Sequence, residues 1–227
     1  MPTEKTQTPY NSLKNKDRRP GRPRGGAINV EQREHLLDIA LMLFAEQGIA
    51  ETSLNAIARK AEVSAAMLTY YFQSRESLLD IIIEERFLPL RHDIAAIFDQ
   101  HIDDPHTALM LILKKIVETA EQHVWFAPLW MQEMATGESA FRQRLKLKHG
   151  DAVRQKAVTI IQKWQQDGKL NARLEPNLLM SSLMSLILVP FAQFRKTESP
   201  AGFNSDQILQ HVTALISKGF LNNEGRR

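Results

Sequence analysis

No cysteine occurs among the 227 residues, so neither a disulfide framework nor thiol chemistry is available, a pattern that fits a cytosolic protein. Glycine and proline number ten each, too few for a collagen-like or low-complexity chain. A period-two alternation of apolar and polar residues is absent throughout, which excludes a sheet and leaves an all-α chain. Missing too are a P-loop, G-x-S-x-G, H-E-x-x-H and a dinucleotide glycine fingerprint. No catalytic residue and no cofactor is therefore assigned, and no enzyme is expected. The first residues lack the apolar stretch of a signal peptide. The one long uncharged run, residues 178–194, falls short of the roughly 20 residues of a membrane span and reads as a buried helix.

What is present begins with charge. Residues 1–30 hold seven Lys/Arg against two acids, a net of +5, whereas the whole chain is +3. The remaining chain is thus slightly acidic, and the positive charge sits in one arm. Residues 1–28 show no apolar period and read as a disordered basic arm. Within it, Gly21-Arg22-Pro23-Arg24 resembles the core of an AT-hook, although Pro20 stands where such a motif has a further arginine. Arg22 and Arg24 either enter a narrow minor groove or touch phosphates only.

The most telling segment is 53–72, SLNAIARKAEVSAAMLTYYF. Leu54, Ile57, Ala58 and Ala61 share one helical face, Val63 plugs a corner, and Ser64 is placed to cap a second helix continued by Met67, Leu68 and Tyr71. Ala65, Ala66, Thr69 and Tyr70 are left outward, small or flat enough to enter a major groove. That is a helix-turn-helix. Asn29 with Gln32 reads as a capping box opening an earlier helix, which Gly48 ends, and Ser74 caps the next one.

Residues 43–79 resemble the DNA-binding domain of the TetR family of transcriptional repressors. The resemblance rests on the helix-ending glycine, the Ser53 start of the second helix, the Val63-Ser64 corner and the Tyr71-Phe72 pair followed by Arg75. It departs at Glu62, where the family usually has glycine, a substitution worth on the order of 1 kcal/mol. The resemblance implies phosphate contacts from Ser53, Asn55, Tyr71 and Arg75. It implies that Ser64, Ala65, Ala66, Met67, Thr69 and Tyr70 face the groove, with Thr69 and Tyr70 reading bases. A helix-turn-helix domain over 29–85 would then precede a larger ligand-binding and dimerisation domain over 86–227.

That second part reads as further helices at 105–123, 125–136, 138–167, 175–195 and 205–221, after a fourth helix that Pro89 kinks or divides. Leu183, Ile187 and Phe191, with Ile208, Val212, Leu215 and Ile216, give two strongly apolar faces. They serve either a twofold four-helix dimer interface or the chain's own core. Residues 123–134 concentrate His123, Trp125, Phe126, Trp130, Met131 and Met134, and Phe87 and Trp164 are expected to join them. This cluster is either ordinary core or the wall of a small-molecule pocket. The run His101 to His106 has metal-ligand residue types, but Asp104 serves as a helix cap and the spacing does not suit a site, so no metal is assigned. The expected partners are duplex operator DNA, a small-molecule effector and a second copy of the chain, with no membrane, in a cytoplasmic, nucleoid-associated protein. The alternative is an architectural DNA binder of the same fold that needs no ligand.

Overall fold

The computed structural model describes residues 29–135, 139–195 and 203–221. Through them run α1 Val30–Gln47, α2 Leu54–Lys60, α3 Ala65–Phe72, α4 Arg75–Ile82, α5 Leu88–Gln100 and α6 Pro105–Gln122. There follow α7 Phe126–Ala135, α8 Ala140–His149, α9 Ala152–Gln166, α10 Pro176–Arg195 and α11 Ser205–Gly219. The fold is all-α; an isolated bridge between Leu170 and Leu221 is the one strand-like pairing among the described residues.

The N-terminal helices are set by their caps. Ser53, Ser64 and Ser74 each accept a hydrogen bond from the backbone N–H three residues on, at 3.1, 3.2 and 3.0 Å. These bonds satisfy donors that a helix start leaves orphaned. Glu62 takes φ 55°, in the left-handed region, at the turn between α2 and α3. Burial holds it there: Ile57, Ala58, Leu68 and Phe72 pack with Leu36, Leu37, Ala40, Leu41 and Phe44, all inside the core.

Three sequence expectations need correction. The capping box of α1 is only half made: Asn29 accepts from the Gln32 N–H at 3.2 Å, but the Gln32 side chain leaves its own helix. It turns to α3, donating to Met67 Sδ at 3.2 Å and accepting from the Tyr71 hydroxyl at 3.5 Å. The expected 138–167 helix is two helices, because Gly150 takes φ 60° and its N–H closes α8 on the Lys146 carbonyl. Asn204 rather than Ser205 caps α11, since only from position 204 does Gln207 fall three residues on and complete a box.

Between α4 and α5 the chain makes a π turn, Ile83–Phe87, in which the Leu88 N–H reaches the Ile83 carbonyl. Pro89 is the second residue of α5 and has no N–H to offer the Glu85 carbonyl four residues back. Widening the turn relieves the clash, and a guanidinium N–H of Arg86 approaches that carbonyl at 3.5 Å. Pro89 is therefore absorbed by a wider turn instead of a loop.

The remaining helices gather around α6, whose Ala108, Leu109, Ile112, Leu113 and Ile116 are fully buried. It packs against α5, α7, α10 and α11, while α1 packs on α7. The apolar core is accordingly continuous from α1 to α11.

Candidate nucleic-acid interface and cavities

Leu68 and Phe72 anchor α3 in the core, and this fixes what its other side presents. Ala65, Ala66, Thr69 and Tyr70 all lie exposed, Tyr70 at 64%. The Tyr70 ring stands edge-on to Tyr71 at 5.4 Å, leaving its hydroxyl outward. Thr69 donates its hydroxyl proton to the Ala65 carbonyl at 3.0 Å, so outward it offers a methyl group and an acceptor oxygen. Ser53, Ser64 and Asn55 are exposed at the starts of α2 and α3, where backbone N–H groups favour a phosphate.

Three residues expected to contact DNA also hold the head together. Met67 and Tyr71 are half-buried and tied by Gln32 to α1. Arg75 donates to the Ile49 carbonyl at 2.6 Å, which commits part of its guanidinium to holding the end of α1 against α4. Gln32 is the residue that sequence reasoning misassigned; its spacing from Asn29 pointed to a cap, and nothing local pointed to α3. Arg22 and Arg24 lie outside the described residues.

Residues 36–82 match the model of the family described as bacterial regulatory proteins, tetR family. The HTH-type transcriptional regulator AcrR of Shigella flexneri is 41% identical over 54 residues, 24% of this chain and 25% of its own length. The HTH-type transcriptional repressor KstR2 of Rhodococcus jostii is 26% identical over 165 residues, 60% of this chain and 81% of its own. Among solved structures, the ketosteroid transcriptional regulator KstR2 of Mycobacterium tuberculosis superposes with a TM-score of 0.60 at 20% identity, covering 87% of this chain and 98% of that one. Residues 36–82 thus match the tetR family's DNA-binding segment. With AcrR the match spans only a quarter of that regulator's length, whereas the likeness to KstR2 extends the shared fold into the body.

The body brings the expected pocket residues together only in part. Phe87 meets Phe141 at 4.5 Å, Trp125 at 5.5 Å and Phe126 at 6.2 Å, a packed cluster in which Trp125 and Phe126 are buried. His123 lies on Trp125 at 5.2 Å, and burial, followed by the charge of Arg86, lowers its pKa against the opposing pull of Asp38. Trp130 is half-buried, and Met131 and Met134 are exposed. Trp164 belongs elsewhere: it stacks on Phe98 at 5.5 Å and donates its indole N–H to the Ile102 carbonyl at 2.5 Å. A cavity of about 640 Å³ has His123 and Trp125 in its wall beside the charged Glu34, Glu85 and Arg86. A second, of about 480 Å³, opens beside Phe98 between α5, α9 and α10, with Ile94, Phe98, Ile161 and Met180 in its wall and Arg91 and Arg154 among its polar groups. No motif marks these two arginines in the sequence.

The π turn is pinned by charge. Glu85 receives two hydrogen bonds from Arg33 of α1, at 2.9 and 2.5 Å, and Arg86 pairs with Glu34. Asp80 on α4 is held by Arg144 and, at 2.8 Å, by Lys148 of α8. Hydrogen bonds from Arg33 and from Arg144 hold the Glu85 and Asp80 carboxyls below the usual carboxylate range.

The residues expected at a dimer interface fall mostly in the chain's own core, the alternative their apolar faces also allowed. Leu183, Ile187, Phe191, Ile208, Val212 and Ile216 are buried within the single chain, packed among α6, α7, α10 and α11, and of the expected set Leu215 alone is exposed. Within the single chain, α10 is only partly covered. Its stretch Pro176–Gln193 has a mean hydropathy of 1.3, long and apolar enough on composition alone to cross a membrane, yet only 28% of it is buried. The outward side carries Leu178, Ser181, Ser185, Val189 and Ala192. Ser181 and Ser185 donate their hydroxyl protons back to the Leu178 and Ser181 carbonyls, at 2.9 and 2.8 Å, so this side is small and effectively apolar.

Proposed function

We propose that this chain is a sequence-specific DNA-binding transcription regulator of the cytoplasm, a repressor that acts as a homodimer on a palindromic operator and leaves it when a small molecule binds the body. The observation that carries this reading is the face of α3. Ala65, Ala66, Thr69 and Tyr70 project from a helix that Leu68 and Phe72 lock into the core, within the segment that matches the tetR family model. Ser53, Asn55 and Ser64 flank it as phosphate contacts, Tyr70 and Thr69 read base edges, and Ala65 and Ala66 approach thymine methyl groups. Residues 29–85 form the DNA-binding unit and 86–227 the effector and dimer unit. Residues 1–28 add a basic arm, with Arg22 and Arg24 directed to the duplex next to the operator and to the nucleoid at large.

Dimerisation follows from α10. A helix this apolar, with most of one side uncovered, is best buried against a second copy, and its small side chains allow close approach of the two axes. Leu215 of α11 extends the same interface. The cavity beside Phe98 favours a ligand-responsive regulator over the ligand-free architectural binder, because well-packed cores leave few voids larger than water.

Selection of randomised duplex DNA by the purified protein, followed by sequencing, tests the reading. Enrichment of an inverted repeat is the expected outcome, with half-sites about one helical turn apart or slightly more. Tyr70→Ala should lose about 1–3 kcal/mol of affinity for the selected site, the size of one good base contact, with unchanged thermal stability. Unenriched DNA after repeated rounds would overturn the proposal.

A further inference from the structure

The cavity between α5, α9 and α10 is mostly apolar in its wall, yet its charged groups are unbalanced: Arg91, Arg154 and Lys156 against Asp99. Lys156 and Asp99 neutralise each other at 2.6 Å. Arg154 donates to the neutral amide oxygen of Asn177 at 3.0 Å. Arg91 is half-buried, with no hydrogen bond or ion pair to any described residue. The acid nearest to it in effect, Asp151, lies 3.8 Å from Lys146, and burial lowers the Arg91 pKa more than Asp151 raises it. Two guanidinium groups without a carboxylate thus border an apolar space. A half-buried cation left in that condition costs stability unless something anionic completes it. A neutral apolar ligand would deepen the penalty by drying Arg91 further, and a cationic one would be repelled.

We propose that this cavity takes an amphipathic anion, its aliphatic chain against Ile94, Phe98, Ile161 and Met180 and its anionic head at Arg91 and Arg154. The volume of about 480 Å³ suits a medium-length chain and leaves no room for a nucleotide-sized head inside. Guanidinium groups suit such a head because they offer paired donors in the geometry of a carboxylate. The inference rests on the regulator reading and names the chemical class of its effector.

Calorimetric titration of the full chain with dodecanoate, dodecanoyl-coenzyme A and dodecanol, each kept below its micellar concentration, tests it. Dodecanoate should bind, and dodecanol should bind at least about tenfold more weakly, the worth of one charge-assisted hydrogen bond. Arg91→Met should weaken dodecanoate by a similar factor and tighten dodecanol, since the cost of drying the guanidinium goes with it, while Arg91→Lys recovers part of the loss. Arg154→Gln, read beside a thermal melt, gives the same comparison should Arg91→Met fold poorly. Binding of the free acid puts the carboxylate at Arg91. Binding of the thioester alone keeps an anionic head but assigns it to the phosphates. Equal binding of acid and alcohol, an Arg91→Met titration identical to wild type, or silence from all three compounds would overturn the proposal. A protein that enriches an inverted repeat yet ignores all three would lose this inference and keep its place as a DNA-binding regulator.

Discussion

The DNA-binding head and the body are built from the same kind of helix but are specified in different ways. In the head, order is local: Ser53, Ser64 and Ser74 each close a bond to a residue three places on, and Glu62 turns the chain between α2 and α3. In the body, order leans on remote contacts: Trp164 bonds to the Ile102 carbonyl and Lys156 to Asp99, between segments more than fifty residues apart in sequence. Local specification keeps a recognition surface the same whatever body it is joined to, whereas remote specification lets the body vary its cavity and its interface.

The largest test of this contrast is Trp164→Ala. Removing a fully buried ring stacked on Phe98, along with its N–H bond, should cost about 3–5 kcal/mol in a urea melt. Because the core runs unbroken from α1 to α11, a single shifted transition is expected; two separate transitions would show that the head and body are held apart after all.

A smaller effect asks whether local caps count equally in the two regions. Ser64→Ala in the head and Asn204→Ala in the body should each cost about 1 kcal/mol, and Ser64→Gly only a few tenths. A negligible loss at Ser64 would mean that packing of Leu68 and Phe72 sets α3 without its cap.

Smallest is the clamp between α1 and the π turn. Glu85→Gln should cost no more than about 1 kcal/mol, since the pair is partly exposed and screened. Arg33 depresses the Glu85 carboxyl in the folded state, so in the acid range the unfolded chain binds the extra proton. The clamp's contribution is therefore complete above the unfolded pKa and disappears as pH falls through the folded one. Acid titration of stability should show a shallower fall for Glu85→Gln than for the wild type, and parallel curves would refute the clamp.

The same contrast explains what could be read from the sequence. The caps at Ser64 and Ser74, the end of α1 at Gly48 and the outward side of α3 were legible because the residues that decide them are neighbours. Gln32 was misread for the opposite reason: its partner is Met67, thirty-five positions away. Leu183, Ile187 and Ile216 were recognisably apolar, but periodicity alone does not say whether a face meets its own chain or a copy, and here they meet α6 and its neighbours. Trp164 was grouped with Trp125 by residue type, while packing set it on Phe98. The cavity arginines carried no signal at all, since an unpaired guanidinium becomes visible only once every nearby acid is placed.

The π turn at Ile83–Phe87 has one more consequence, which concerns phase. A turn of this kind holds one residue more than an α turn, and each residue of an α-helix advances the chain by about 100°. Deleting a single residue there would restore an unbroken helix, yet α5 would arrive rotated by that angle. Leu90 would be carried out of the core, Phe98 away from Trp164, and Arg91 away from its cavity. The extra residue therefore works as a timing mark between head and body, and evolution in this stretch is free to change the side chains far more readily than their number.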